Sequence, residues 1–124
     1  MIKLNVMLID GDKLALSYLE RLLAQYENLH IIGSFTDPNQ AWTTLGSYPV
    51  DVIFLDIDMK YISGLEVASR MGQFCSSAEI VFVTANPSYA VEAFNLNVLD
   101  YLLKPMKPIR LDQTIRKLLR RKGK

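Results

Sequence analysis

Val52-Ile53-Phe54-Leu55 is a continuous apolar run, rich in β-branched and aromatic side chains, that stops abruptly on a carboxylate, Asp56. A run without polar alternation suits a strand buried on both faces, as in the middle of a parallel sheet. In open α/β sheets, ligands collect beyond the carboxyl ends of the strands, where the strand order reverses. Asp56 therefore reads as an acid held on a rigid element at the mouth of a crevice.

Five such apolar segments alternate with five helix-like ones, the pattern of a βαβ sheet wrapped by helices. Strands are expected at Leu4–Ile9, Leu29–Phe35, Val52–Leu55, Glu79–Val83 and Val98–Leu103. The second has polar residues at its ends and reads as a sheet edge. Asp12 can cap a helix whose apolar face is Leu16, Leu19, Leu23 and Tyr26. Asp37-Pro38-Asn39-Gln40 supplies a cap, a first-turn proline and a glutamine three residues on, before a helix carrying Ala41, Trp42 and Leu45 and stopping at Gly46. Ser63-Gly64-Leu65-Glu66 reads as a capping box opening a helix that ends near Gly72. Asn86-Pro87 caps a fourth helix, with Tyr89, Ala90, Ala93 and Phe94 on one side. Pro108 opens the last, whose inner face is Leu111, Ile115, Leu118 and Leu119.

At 124 residues and 50% hydrophobic content, the chain is expected to form one domain, residues 1–124, with a filled core. No apolar run reaches membrane-spanning length, and Met1-Ile2-Lys3 leads into a strand rather than a signal peptide. One cysteine, Cys75, excludes an internal disulfide framework, so a cytoplasmic location is expected and Cys75 reads as a small buried hydrophobe. The lone His30 reads as structural, because no metal cluster or hydrolase triad can be built around it. Net charge is +1, yet nine of the fourteen Lys and Arg lie between Lys104 and Lys124. Without interleaved aromatics, that basic stretch reads as the solvated face of a terminal helix rather than a nucleic-acid arm.

The strand ends carry the chemistry. The first ends on Asp10, Gly11 and Asp12, the third on Asp56, the fourth on Thr84 and the fifth on Lys104. Carboxylates crowded into one crevice favour a hard divalent cation, and Mg²⁺ takes one or two of them plus waters and phosphate oxygens. A carboxylate can also attack a phosphoryl group and hold it as an aspartyl-phosphate. Such transfer needs positioning and charge neutralisation. Asp56, Lys104 and Thr84 are the right types for nucleophile, cation and hydroxyl donor.

In this order and on these strand ends, the residues resemble a response-regulator receiver domain of two-component signalling, over essentially the whole chain. Leu55-Asp56-Ile57-Asp58-Met59 with Gly64 resembles the family's phosphoacceptor loop, Thr84-Ala85 its switch threonine, Tyr101 its switch aromatic and Lys104-Pro105 its lysine-proline turn. Tyr89–Phe94 followed by Leu99–Pro105 is similar to the regulators that carry a LytTR-type DNA-binding domain. The resemblance implies a doubly wound, flavodoxin-like parallel sheet in order 2-1-3-4-5 with five helices. It implies that a histidine kinase donates a phosphoryl group to Asp56, with Mg²⁺ touching Asp56, the Asp58 carbonyl and the acids Asp10 and Asp12. Thr84 and Tyr101 would then move inward, and dimers would form through the fourth helix, fifth strand and fifth helix. Beyond that self-phosphorylation and autodephosphorylation no enzymatic activity is implied, and DNA is reached only through a further, C-terminal effector domain.

Two positions depart from the family pattern. Gly11 stands where a second adjacent acid is usual, and Lys60 where a proline usually follows the methionine. With one carboxylate fewer, Mg²⁺ affinity is expected to fall. Gly11 keeps open a pseudo-receiver, a binding module of the same fold that is not phosphorylated. Asp56-Ile57-Asp58 also has the spacing of a haloacid-dehalogenase-type phosphatase, although no later acidic pair completes that metal site. A flavin-binding flavodoxin is disfavoured, since no hydroxyl- and glycine-rich loop follows the first strand.

Overall fold

The computed structural model describes residues 3–74 and 77–123. Its elements are β1 Leu4–Ile9, α1 Lys13–Leu23, β2 Leu29–Phe35, α2 Pro38–Ser47, β3 Val52–Leu55, α3 Gly64–Phe74, β4 Glu79–Thr84, α4 Ala90–Asn95, β5 Asp100–Leu103 and α5 Pro108–Lys122. A 3-10 turn, Pro87–Tyr89, leads into α4. The strands form one parallel sheet in the order β2-β1-β3-β4-β5, the expected doubly wound arrangement. No helix among the described residues is long and apolar enough to cross a membrane.

Side chains alternate across a strand, so the sheet builds a core on each face. Leu4, Val6, Leu8, Phe54 and Val81 meet Leu16, Leu19 and Leu23 of α1 and Leu111, Ile115 and Leu118 of α5. Met7, Ile9, Ile53, Leu55 and Phe82 meet Ala41 of α2 and Val67, Ala68 and Met71 of α3. Both faces of β3 are thus covered, and all four of its residues are buried. Each large side chain withdrawn from water contributes roughly 1.5–3 kcal/mol, which is why an unbroken apolar run belongs at the sheet centre.

The caps form largely as their residue types dictate. Asp12 Oδ1 accepts from Leu14 N–H at 2.9 Å, and Asp37 Oδ1 accepts from Asn39 N–H at 2.9 Å. Ser63 Oγ accepts from Leu65 N–H at 3.1 Å, and Glu66 turns away to pair with Arg70 at 2.9 Å instead of closing a capping box. Helix α2 runs to Ser47 and α3 to Phe74, each past the glycine expected to stop it. Gly46 and Gly72 have ordinary helical freedom there, and a Cβ at either would meet nothing. Strand β5 begins at Asp100, not Val98, because its ladder with β4 starts at the pair Val81–Asp100.

Helix α4 differs most from expectation. Ala93 packs inward, but Ala90 is exposed and Phe94 is 80% exposed, with Val91 beside it at 70%. His30 is an exposed residue of edge strand β2, and Trp42 packs edge-on against Phe74 at 5.8 Å. Cys75 lies outside the described residues.

Candidate functional site

Register carries the candidate residues to one rim. Ile9 pairs with Leu55, Leu55 with Phe82, and Phe82 with Tyr101, so the next residues of β1 and β3 emerge side by side. Asp56 continues the ladder, its N–H donating to Ile9 O at 2.9 Å. Asp10 N–H donates to Phe35 O at 3.0 Å, and Lys104 N–H to Thr84 O at 2.8 Å. Backbone bonds thus hold Asp10, Asp56, Thr84 and Lys104 at adjacent strand ends.

The Lys104 ammonium joins two of the acids. Its Nζ lies 2.7 Å from Asp10 Oδ2 and 3.4 Å from Asp56 Oδ2. Asp10 and Asp56 are each 6% exposed. Asp10 spends its other oxygen on the N–H of Asp12, at 2.9 Å. Asp56 Oδ1 is buried and has no hydrogen-bond partner among the described residues. Burial raises the Asp56 pKa, the charge of Asp10 raises it further, and Lys104 only partly offsets the two. For Lys104, burial opposes the charged form, but the two carboxylates outweigh it and raise its pKa. An unpartnered, buried carboxylate oxygen facing a second acid is a site short of positive charge.

That shortage fits a hard cation. Asp10 and Asp56 are the side chains that could hold one, and Mg²⁺ is suited to such a two-carboxylate set. Of the other two acids of the expected set, Asp58 is expected to contribute its backbone carbonyl rather than its side chain. Asp12 is exposed and caps α1, and Asp58 is exposed. Among the described residues, no three His, Cys, Asp or Glu side chains form a group that could hold a metal.

Around this centre, Thr84 is fully buried, and its Oγ1 accepts from Asn86 N–H at 3.3 Å. Tyr101 lies folded inward, its hydroxyl donating to Asn86 O at 2.5 Å and its ring edge-on to Phe82. Burial raises the Tyr101 pKa. Gly64 N–H donates to Ile57 O at 2.8 Å, tying the start of α3 beneath the Asp56 loop. The Lys104–Pro105 peptide is cis. Tyr18, which the sequence did not single out, donates from α1 to Met106 O at 2.8 Å and holds the segment after Lys104. A mid-helix tyrosine carries no local sign of a partner 88 positions away.

A doubly wound sheet with an acidic pair and a lysine at its carboxyl rim defines a flavodoxin-like α/β domain. The comparisons narrow the class. The response regulator receiver domain model matches residues 6–116, and the chain belongs to that family. It is a receiver of the type found in LytTR-family regulators. It is 39% identical over 121 residues to an uncharacterized response regulatory protein of Vibrio cholerae, covering 98% of this chain and 51% of that one. It is 34% identical to the sensory transduction protein LytT of Bacillus anthracis, over 96% of this chain and 48% of that protein. The crystal structure of the response regulatory domain of protein MrkE from Klebsiella pneumoniae superposes with a TM-score of 0.87 at 35% identity, covering 94% and 96% of the two chains. The chain therefore spans about half the length of the curated relatives it matches.

Proposed function

We propose that this receiver is a phosphoacceptor, taking a phosphoryl group from the phosphohistidine of a sensor histidine kinase onto Asp56. The supporting observation is Asp56, whose Oδ1 is buried without a partner among the described residues and whose Oδ2 lies 3.4 Å from the Lys104 ammonium that also contacts Asp10. In the transfer that oxygen forms the new bond to phosphorus while the phosphorus–nitrogen bond to the donor histidine breaks. The electron pair leaves on the imidazole nitrogen. Lys104, already within 3.4 Å of Asp56, neutralises charge on the phosphoryl oxygens, and Thr84 supplies a hydroxyl from the neighbouring strand end. Asp10 and Asp56 would hold Mg²⁺, which when bound adds further neutralisation of those oxygens.

The output is a shift between two states. Phosphorylation draws Thr84 toward the new group and favours the inward position in which Tyr101 bonds to Asn86. That change favours dimers through α4, β5 and α5, whose exposed Val91, Phe94, Leu103 and Ile109 offer apolar surface. A C-terminal effector in the remaining half of the regulator would then bind DNA, in the cytoplasm, and the domain itself would turn over only its own aspartyl-phosphate. Gly11 favours a second reading, a pseudo-receiver that binds partners without phosphorylation. Family membership leaves the haloacid-dehalogenase reading without support.

Intact mass after incubation with acetyl phosphate and Mg²⁺ separates the two. One added phosphoryl group on this chain and none on Asp56→Asn is the result expected. No adduct on either would establish the pseudo-receiver.

A further inference from the structure

Lys104 reaches Asp10 and Asp56 from the first residue after β5, so its place depends on the segment that it opens. Lys104 N–H donates to Thr84 O at 2.8 Å, and regular bonding resumes only at Lys107 O, which accepts from Arg110 and Leu111 at 3.0 Å. Between these points Pro105 has no N–H to donate. Among the described residues, one hydrogen bond ties Pro105 or Met106 to another element: the Tyr18 hydroxyl of α1 donates to Met106 O at 2.8 Å. The Met106 side chain is buried in the same core as Leu16 and Leu111. Beside it, however, lies a cavity of about 240 Å³, lined by Leu14 and Tyr18 of α1, by Lys104, Pro105 and Met106, and by Asp10 and Asp56. That space offers the segment no packing partners and leaves it room to shift.

Helix α1, by contrast, is fixed to the site. Leu16, Leu19 and Leu23 are buried, and the Asp12 N–H before its first turn donates to Asp10 Oδ1 at 2.9 Å. The other oxygen of Asp10 holds Lys104 Nζ at 2.7 Å. The contacts close a ring, from Asp10 to Asp12, along α1 to Tyr18, across to Met106, and back through Lys104 to Asp10. We propose that Tyr18 is a positioning residue for phosphoryl transfer, its hydroxyl fixing the segment that delivers the Lys104 ammonium to the two carboxylates. Tyr18 acts through Lys104 and not on the phosphoryl group. The consequence for rate rests on the phosphoacceptor reading, whereas the placement of Lys104 can be measured without it.

The test compares the unsubstituted chain with Tyr18→Phe, Lys104→Met and the double variant. Phenylalanine keeps the ring and removes only the donor, so Tyr18→Phe should keep the circular dichroism spectrum of the parent. Labelling of Asp56 by acetyl phosphate with Mg²⁺ should slow about fivefold in Tyr18→Phe, the worth of one neutral hydrogen bond. In the Lys104→Met background the same change should have no further effect, whereas a general loosening of the fold would slow both backgrounds alike. The second readout needs no phosphoryl donor. An ammonium held between two carboxylates exchanges its protons slowly enough to give a ¹H–¹⁵N cross-peak in the cold, assigned to Lys104 by its loss in Lys104→Met. That cross-peak should weaken in Tyr18→Phe. An unchanged cross-peak, a parental labelling rate, or equal slowing in both backgrounds would overturn the proposal, and the cross-peak decides alone if Lys104→Met labels too slowly to time. A weakened cross-peak with no labelling of any sample would sink the phosphoacceptor reading and leave the tether standing.

Discussion

Arg110 of α5 grips Asp100 at the start of β5 through both guanidinium nitrogens, at 2.6 and 3.0 Å. Thr114 donates to the same carboxylate at 2.6 Å, and Lys117 lies 3.5 Å away. This cluster fastens α5 to the edge of the sheet.

Burial alone would raise the Asp100 pKa, but Arg110, Thr114 and the Tyr101 N–H outweigh it and hold the carboxyl at about 2, down from an ordinary 3.8. A depressed carboxyl stabilises the fold above its unfolded pKa and loses that contribution as pH falls through the folded one. The cluster should therefore contribute about 2 kcal/mol at pH 7, fading between about pH 4 and pH 2. Asp100→Asn should lower the melting temperature by about 8 °C at pH 7. Urea titrations at pH 7 and pH 3 should show a smaller gap between variant and parent at the lower pH. An equal gap at both would contradict the assignment.

Gly64 sits where only a glycine fits. A Cβ there would lie 2.0 Å from the Asp56 carbonyl oxygen and 2.7 Å from Ile57 Cα, both rigid backbone. Gly64→Ala should cost about 3 kcal/mol or more and displace the Asp56 loop. Chemical denaturation reads the first effect, and a slowed rate of acyl-phosphate labelling the second. A variant as stable and as readily labelled as the parent would show that the loop yields easily.

Asp56 is expected to weaken the resting fold. Asp56 is 6% exposed, one of its carboxylate oxygens has no partner among the described residues, and Asp10 repels it. Asp56→Asn removes that charge while Lys104 keeps Asp10 at 2.7 Å. Without divalent ions, the variant should be about 1 kcal/mol more stable, raising the melting temperature by about 4 °C. Differential scanning calorimetry with a chelator present decides it, and a lower melting temperature would contradict the account.

Phe94, 80% exposed on α4, should matter when two copies meet. Phe94→Ser should leave the melting temperature of the monomer within about 2 °C of the parent and weaken the phosphorylated dimer about tenfold. Sedimentation across a concentration series gives both species. Unchanged association would move the interface off this face.

Much of the fold was legible because its signals are local. A four-residue apolar run, Val52–Leu55, announces a covered strand, and Asp12, Asp37 and Asn86 each cap through an N–H two residues on. Phe94 was grouped on one side of its helix with Ala93, yet Ala93 is buried and Phe94 is exposed. Helical spacing shows which residues share a side, not which side meets the core. The start of β5 moved because its ladder with β4 begins at Asp100, and α3 runs on through Gly72 to Phe74.

Sequence by itself determined the order of strands and helices, the family pattern and the acid, hydroxyl and lysine at the strand ends, because each depends on residues within one or two turns. Tertiary structure alone decided which of those groups meet. It brought Lys104 to Asp10 more closely than to Asp56, left Asp12 on its helix cap, and turned Tyr101 onto Asn86. Register across the sheet sets those pairings, and register is settled by burying both faces of β1 and β3 at once.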